Sequence, residues 1–137
     1  MTIFWVDDEI KSFTRPYYDE LRDEGYENKI ATFVEPDSAL KYFKKNHADL
    51  SCAIIDLMMP TGKTFSPEET ELGTRTGKAL ITQLQEIDKE IPIIILSVVR
   101  DRDIVEWVEE KKITYLKKSK TFPRELLAKV KLLKREL

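Results

Sequence analysis

The chain has 137 residues, of which 42% are hydrophobic and 35% are charged, and its formal net charge is −2 at pH 7. This composition predicts one globular domain with a proper core, excludes a disordered chain, and argues against nucleic acid as the main partner. The single cysteine, Cys52, excludes an internal disulfide and indicates a reducing compartment. No apolar stretch is long enough to span a bilayer and no signal-peptide pattern is present, so we expect a cytoplasmic protein without a membrane partner.

The first predicted strand carries acidic residues at its carboxyl end. The apolar run Ile3–Val6 is followed directly by Asp7, Asp8 and Glu9. Capping and periodicity then predict a helix from an N-cap at Thr14 to Gly25, a strand over residues 29–34, and a helix opened by Glu35, Pro36 and Asp37 and ended near Asn46 and His47. His47, the only histidine, has no acidic or cysteine neighbour arranged as a site, so we predict a surface residue.

The central strand ends on a single carboxylate. Cys52–Ile55 is a continuous apolar run that leads into Asp56, and Pro60 ends the segment. A run of this kind predicts a strand that is buried on both faces, with Cys52 as a core thiol. In an open parallel sheet, side chains at the carboxyl ends of the strands project into the ligand-binding crevice. Asp56 is therefore the first candidate for a functional residue.

A long polar segment follows Pro60. Residues 61–76 exceed the usual length of a strand-to-helix loop. Ser66 and Glu69 have the spacing of a capping box, with Pro67 at the first helical position and Gly73 as a possible end. We therefore expect one short helical turn inside this loop. A regular helix is then predicted from Thr76, with apolar positions Leu80, Leu84 and Ile87 on one face.

The last third of the chain completes the alternation. The strand Pro92–Ser97 ends on a hydroxyl, Asp101 is the predicted N-cap of a helix, and the short strand Ile113–Leu116 leads into paired lysines. The last helix is predicted to begin at Phe122, with apolar positions Leu126, Val130, Leu133 and Leu137. Five alternating strands and helices predict a parallel sheet with helices on both faces. We expect a single domain over residues 1–137, with no output domain.

Polar side chains follow four of these five strands. They are Asp7 and Asp8, Asp56, Ser97, and one of Lys117 and Lys118. Three crowded carboxylates raise at least one pKa unless a cation relieves them, and Mg²⁺ is the hard dication that fits such a set best. A lysine and a hydroxyl opposite the metal would bind phosphoryl oxygens, and an aspartate can act as nucleophile. The set predicts phosphoryl transfer onto Asp56.

In order and spacing, these fragments resemble the receiver domain of bacterial two-component response regulators. The resemblance covers nearly the whole chain and is carried by Val6–Glu9, Ile55–Pro60, Pro92–Ser97 and Tyr115–Lys118. It implies a flavodoxin-like, doubly wound sheet of five parallel strands in the order 2-1-3-4-5, with five helices on both faces. It also implies a switch rather than an enzyme, which accepts a phosphoryl group from a sensor histidine kinase or phosphotransfer protein. A downstream protein would then detect the change.

The resemblance assigns roles to individual residues. Asp56 would accept the phosphoryl group, Lys118 would bind its oxygens, and Ser97 and Tyr115 would move inward as the switch. The resemblance also implies a Mg²⁺ site in which Asp8, Asp56 and the main-chain carbonyl of Met58 bind directly. Asp7 would act mainly through water. We expect a monomer or weak dimer.

Three features depart from the family pattern. Ser119 follows Lys118 where proline, often with a cis bond, is usual, Val98 replaces a small residue, and the loop after Pro60 is longer by about a dozen residues. None of them removes a predicted catalytic group. Because Met58 and Val99 are both apolar, water would be poorly held beside Asp56, and we expect slow self-dephosphorylation.

Three other functions are compatible with parts of the sequence. Gly62–Thr64 suggests a nucleotide-binding P-loop, but Leu57 stands where that motif needs a glycine. A haloacid-dehalogenase-like phosphatase would need a second aspartate at Met58. The remaining alternative is a receiver-shaped interaction module that is not phosphorylated, and the intact set of acids, serine and lysine argues against it.

Overall fold

The computed structural model describes residues 1–136, in which five strands alternate with five α-helices. The strands are β1 (Thr2–Val6), β2 (Ile30–Phe33), β3 (Leu50–Ile55), β4 (Ile93–Ser97) and β5 (Thr114–Lys117). The helices are α1 (Arg15–Leu21), α2 (Pro36–Asn46), α3 (Thr76–Ile87), α4 (Arg102–Lys111) and α5 (Pro123–Leu133). The predicted alternation is confirmed. Leu137, a predicted apolar position of the last helix, lies outside the described residues.

All five strands are parallel and lie in the order β2-β1-β3-β4-β5, as expected. Every residue of β3 and β4 is buried, whereas β2 and β5 are mostly half-buried. Continuous apolar runs therefore form the centre of the sheet, because both of their faces are covered by helices. The order places β1, β3 and β4 side by side, and their carboxyl ends carry the candidate residues.

Helices cover both faces of the sheet. Along β1 and β3, alternate side chains point to opposite faces, because the period of a strand is two residues. Phe4 and Ile55 pack with α2, α3 and α4, whereas Trp5 and Ile54 pack with α1 and α5. Full burial of each such side chain stabilises the fold by about 1.5–3 kcal/mol. Cys52 is buried in the second cluster, as predicted.

Residues 61–75 form a folded segment between β3 and α3, which we call the insertion. Its predicted capping box is present, because Ser66 N donates to Glu69 Oε1 at 2.8 Å and Glu69 N donates to Ser66 Oγ at 3.1 Å. The single turn does not continue as a helix, since Glu71, Leu72 and Gly73 have φ values of 50°, 61° and 89°. The expected turn is therefore found, with Gly73 at its end but without a regular helix.

Two residues predicted as N-caps stand at the N-cap position, but their side chains do not cap the helix. Thr14 and Asp101 precede α1 and α4, yet neither side chain bonds to the first turn of its helix. Their polar atoms bind elsewhere, as described below. The first helix was predicted to end at Gly25, but α1 already ends at Leu21. A wider helical turn follows over Arg22–Tyr26, and Gly25 within it has a φ of 100°.

His47 is not the isolated surface residue that the sequence predicts. It is half-buried, and its Nδ1 lies 3.0 Å from Asp88 Oδ2, far away in the sequence but adjacent in the fold. Within residues 1–136, no helix is both long and apolar enough to cross a membrane. The same residues contain no cis peptide bond, so the bond between Lys118 and Ser119 is trans.

Candidate functional site

The candidate site lies at the carboxyl edge of the sheet, where β1 and β3 end side by side. Val6 pairs with Ile55, and Asp56 N donates to Val6 O at 3.0 Å, so the next residues of both strands project from neighbouring positions. One carboxylate oxygen from each of Asp7, Asp8 and Asp56 lies within 4.8 Å of the others. The predicted acidic cluster is therefore present.

Lys118 joins the cluster from the end of β5. Its Nζ lies 2.9 Å from Asp56 Oδ2 and 3.0 Å from Asp7 Oδ2. Burial disfavours the charged ammonium group, but Asp56 and Asp7 outweigh this effect and raise the pKa of Lys118 above its usual value. Of the two candidate lysines, Lys118 is thus the one that contacts the acids.

Asp56 is almost fully buried, and its charge is only partly compensated. Its Oδ2 accepts from Lys118, while its Oδ1 is buried without a hydrogen-bond partner among the described residues. Burial and the neighbouring Asp7 carboxylate raise the pKa of Asp56 to about 6, although Lys118 acts in the opposite direction. Burial, Asp7 and Glu9 also raise the pKa of Asp8. A cation would relieve both carboxylates.

Asp7 is held more firmly than the other two acids. It is fully buried, its Oδ1 accepts from Glu9 N at 2.8 Å, and its Oδ2 accepts from Thr14 Oγ1 at 2.9 Å as well as from Lys118. Thr14 therefore supports the acidic cluster, a role that the sequence analysis missed because threonine before a helix usually indicates a cap.

The donor set fits a hard divalent cation. Asp8 is exposed, Asp56 Oδ1 is unpartnered, and Asp7 has its oxygens engaged by neighbouring groups. Carboxylate oxygens of this number and arrangement are what Mg²⁺ binds in proteins, with water completing its coordination. The side chain of Met58 is 45% exposed and lines the same groove as Asp8.

Tyr17 and Gly77 also hold parts of the site in place, a role that no local pattern in the sequence predicts. Tyr17 Oη donates to the carbonyl of Lys118 at 2.8 Å and to that of Thr121 at 2.6 Å, which fixes the chain that carries the lysine. Gly77 packs against the end of β3, where an added Cβ would lie 2.0 Å from Asp56 O. Only glycine allows α3 to approach the main chain of Asp56 this closely.

Ser97 and Tyr115 meet at the end of β4. Ser97 is buried, its Oγ accepts from Val99 N at 3.3 Å, and its hydroxyl helps to lower the pKa of Asp56 against the effect of burial. Tyr115 Oη donates to the carbonyls of Val99 and Ser97. Both predicted switch residues therefore bind the segment that leaves β4.

Val98 and Val99 face different environments. Val98 is 56% exposed, whereas Val99 is only 8% exposed and packs in the core. Val99 nevertheless lines a groove of about 500 Å³ together with Met58, although most of its side chain is packed in the core. The insertion contributes Leu72 and Thr74 to a groove of about 550 Å³ that also includes Asp8 and Met58.

Comparison with known proteins places this geometry in a fold family. No protein-family model matches the sequence, and no curated protein sequence matches it. A CheY-like receiver domain from Methanospirillum hungatei is 17% identical with a TM-score of 0.74, covering 96% of this chain and 90% of that one. The chemotaxis protein CheY4 of Vibrio cholerae is 21% identical with a TM-score of 0.71, covering 96% and 97%. The chain has the fold of a response regulator receiver domain.

The likeness extends to a chain from a complex that contains Mg²⁺. A chain in the CheX–CheY–BeF₃–Mg²⁺ complex from Borrelia burgdorferi is 18% identical with a TM-score of 0.67, covering 95% of this chain and 86% of that one. At these identities the likeness establishes the receiver fold alone. In this receiver fold, Asp7, Asp8, Asp56, Ser97 and Lys118 gather at the carboxyl edge of the sheet.

Proposed function

We propose that the protein is a phosphorelay switch whose Asp56 accepts a phosphoryl group from a phosphohistidine on a sensor kinase or phosphotransfer protein. The observation that carries this proposal is the Asp56 carboxylate itself: one oxygen pairs with Lys118 at 2.9 Å and the other is buried without a partner. A receiver fold with this acid at the end of its central strand is built for signalling in two-component systems.

The transfer step uses the residues of this chain as follows. A carboxylate oxygen of Asp56 attacks phosphorus, the bond between phosphorus and the donor's imidazole nitrogen breaks, and that nitrogen leaves with its electron pair and takes up a proton. Lys118 shifts from the carboxylates toward the phosphoryl oxygens, and the Ser97 hydroxyl donates to one of them. Catalysis rests on positioning and charge stabilisation. Because the phosphoryl group ends on a residue of the protein itself, the proposed role is that of a phosphoacceptor rather than an enzyme.

Mg²⁺ is the proposed cofactor. Asp8, Asp56 and the carbonyl of Met58 would hold it directly, with Asp7 acting through water, and it would neutralise charge on the phosphoryl oxygens. The acidic cluster supports this assignment, as does the presence of BeF₃ and Mg²⁺ in the Borrelia burgdorferi complex. Phosphorylation would then shift the packing of Ser97 and Tyr115, and a partner protein would recognise the altered surface of α4, β5 and α5.

Acetyl phosphate tests the proposal without a known kinase. Wild-type protein incubated with acetyl phosphate and Mg²⁺ should gain one phosphoryl group by intact mass, and the label should be removed by hydroxylamine. Asp56→Asn keeps the shape of the side chain but removes the nucleophile, so it should gain none. Asp23→Asn, which changes an exposed aspartate in the turn after α1, is the matched control and should gain one.

Two results would contradict the proposal in different ways. A label that persists on Asp56→Asn would place the acceptor elsewhere. A wild-type protein that takes no phosphoryl group in saturating Mg²⁺ would favour the alternative, a receiver-shaped interaction module that is not phosphorylated.

A further inference from the structure

The insertion is attached at its start to α2. The carboxylate of Asp37 accepts from Lys63 N at 2.8 Å and from Thr64 N at 2.9 Å. Gly62 has a φ of 65°, and an added Cβ would lie 2.6 Å from the same carboxylate. Phe65, the next apolar residue, is only 5% exposed and packs in the core. The insertion is therefore a fixed part of the fold at this end.

At its other end the insertion is attached to α4 through Arg75. Arg75 Nη2 lies 2.6 Å from Asp101 Oδ2, and its Nε and Nη2 each lie 3.1 Å from an oxygen of Asp103. The Arg75 side chain is 10% exposed, although both of its partners are partly open to solvent. A two-pronged arginine–carboxylate contact fixes orientation as well as distance.

This contact replaces the expected N-cap of α4. Asp101 stands at the N-cap position, but its carboxylate binds Arg75 and leaves the first turn of the helix uncapped by a side chain. The start of α4 is consequently fixed by the insertion. Asp101 thus joins the insertion to α4, and α4 loses the side-chain hydrogen bond that an N-cap aspartate normally accepts from the first turn.

Between Ser97 and Asp101 lie only three residues, and both ends of this short connection are held. Tyr115 Oη donates to the carbonyls of Ser97 and Val99 at one end, and Arg75 binds Asp101 at the other. The same connection positions the Ser97 hydroxyl, which accepts from Val99 N and acts on Asp56. A shift of α4 would therefore be transmitted to Ser97 over a few bonds.

We infer that Arg75 is a positioning residue for phosphoryl transfer: by clamping Asp101 and Asp103, the insertion holds the 97–101 connection with the Ser97 hydroxyl placed for the phosphoryl group on Asp56. This inference rests on the proposed function. Arg75 does not contact the reacting atoms and acts through Ser97. The insertion is on this basis a part of the transfer machinery that sets the rate at which Asp56 accepts phosphate.

Arg75→Gln and Arg75→Lys test the inference, with Arg102→Gln as the matched control. Arg102 also lies at the start of α4, but its side chain is 93% exposed and pairs with Glu106 on its own helix. The initial rate of phosphorylation by acetyl phosphate in saturating Mg²⁺ is measured on Phos-tag gels, with Mg²⁺ affinity and melting temperature recorded in parallel. The rate should fall on the order of tenfold in Arg75→Gln, fall less in Arg75→Lys, and stay unchanged in Arg102→Gln.

Mg²⁺ affinity and a double variant distinguish a positioning role of Arg75 from general damage to the site. Because Asp8 and Asp56 are untouched, Mg²⁺ affinity of Arg75→Gln should stay within about twofold of wild type. Asp101→Asn should slow phosphorylation in the same way, and the double variant Arg75→Gln/Asp101→Asn should be no slower than Arg75→Gln alone, since both changes break one contact.

The following results would contradict the role of Arg75 or the proposed function. Phosphorylation of folded Arg75→Gln at the wild-type rate overturns the positioning role of Arg75 alone. A wild-type protein that takes no phosphate overturns the proposed function and this inference with it. If Arg75→Gln is unfolded at the assay temperature, Arg75→Lys and Asp101→Asn decide, and wild-type rates in both overturn the inference.

Discussion

Asp56 combines burial with a charge that Lys118 only partly compensates. Its pKa is raised to about 6, so the folded protein binds a proton at this residue more tightly than the unfolded chain does. Folding stability that depends on this residue therefore falls as pH rises from about 4 to about 6, because the proton must be lost from a buried position. Above that range the charged carboxylate opposes folding, unless a cation is bound.

Asp56→Asn should consequently stabilise the protein in the absence of metal. At pH 7.5 in chelator the gain should be at most about 3 kcal/mol, from a shift of about two pKa units, and Lys118 keeps Asp7 as a partner. The gain should shrink toward zero at pH 4.5, where wild-type Asp56 is protonated. Urea denaturation at the two pH values measures it. An equal or lower stability of Asp56→Asn at pH 7.5 would show that Lys118 compensates the charge fully.

Met58 is the apolar side chain best placed to exclude water from the acyl phosphate. It is 45% exposed and lines a groove with Asp8, whereas Val99 is only 8% exposed and mostly packed in the core. The single change Met58→Asn is therefore a better test than one that includes Val99→Glu, since a glutamate at position 99 would bury a charge.

Met58→Asn should accelerate the loss of phosphate from the phosphorylated protein several-fold. An amide beside Asp56 can hold a water molecule in line with the phosphorus–oxygen bond, which methionine cannot. Leu132→Asn, at an exposed apolar position of α5, is the matched control and should leave the rate unchanged. Phosphate loss is followed on Phos-tag gels in excess Mg²⁺. Equal rates in Met58→Asn and wild type would rule out water exclusion by this residue.

At the scale of elements, the insertion is a packed part of the domain and not a free loop. Phe65 is 5% exposed in the same cluster as α2 and α3, and Thr76 Oγ1 donates to Met59 O at 2.8 Å where the insertion meets α3. The core contact is reinforced by the polar contacts of Asp37 and Arg75 at its two ends. The polar composition of the insertion predicted a loop, but burial of Phe65 stabilises this segment against the core.

Phe65→Ala should lower the free energy of unfolding by about 3 kcal/mol, because it removes buried apolar surface and leaves a cavity. Phe13→Ala provides the matched control, since Phe13 is 80% exposed and its loss should change stability by no more than about 0.5 kcal/mol. Both values come from urea denaturation of the purified variants. A value for Phe65→Ala as small as that of Phe13→Ala would mean that the insertion is not packed on the core.

At the scale of the whole molecule, polar clusters occupy both edges of the sheet. Opposite the candidate site, Arg135 binds both oxygens of Asp88, at 3.1 and 2.7 Å, and donates to the carbonyls of His47 and Leu50. This cluster joins the residues after α5 to the ends of α2 and α3. Arg135 and His47 hold the pKa of Asp88 well below its usual value.

Asp88→Asn should destabilise the protein at neutral pH by roughly 2 kcal/mol, because it removes charge-assisted hydrogen bonds. The folded pKa of Asp88 is depressed, so its contribution is fully present above about pH 4 and is lost as pH falls through the folded value. The loss of stability in Asp88→Asn should therefore shrink in acid. The gain in Asp56→Asn shrinks in acid as well, but the two substitutions change stability in opposite directions at neutral pH. Thermal melts from pH 7 to pH 3 test this, with the exposed Asp49→Asn as control.

The single-domain organisation, the oligomeric state and the identity of the partners stay predictions. We expect a monomer or weak dimer that receives phosphate from an upstream donor and is recognised by a downstream protein.

The amino-acid sequence by itself determined the alternation of strands and helices, the central position of β3 and β4, and the edge at which the acids meet. These features follow from local patterns, because apolar runs, helical periodicity and the ends of parallel strands are set by neighbouring residues. Asp7, Asp8, Asp56 and Ser97 were found in this way, together with the pair Lys117 and Lys118. Their order and spacing indicated the receiver fold, and the choice of Lys118 came from that resemblance.

The tertiary structure alone decided which polar groups bind one another across the fold. Thr14 and Asp101 have the local signature of N-caps, yet their side chains bind Asp7 and Arg75 instead. Thr14 and Asp7 are both buried away from competing water, whereas Asp101 is held by a charge-assisted contact with Arg75. His47 with Asp88, Tyr17 with Lys118 and Arg75 with Asp103 are separated by 41, 101 and 28 residues. No local pattern encodes such pairs, because they form only when the packing of separate elements brings the groups within hydrogen-bonding distance.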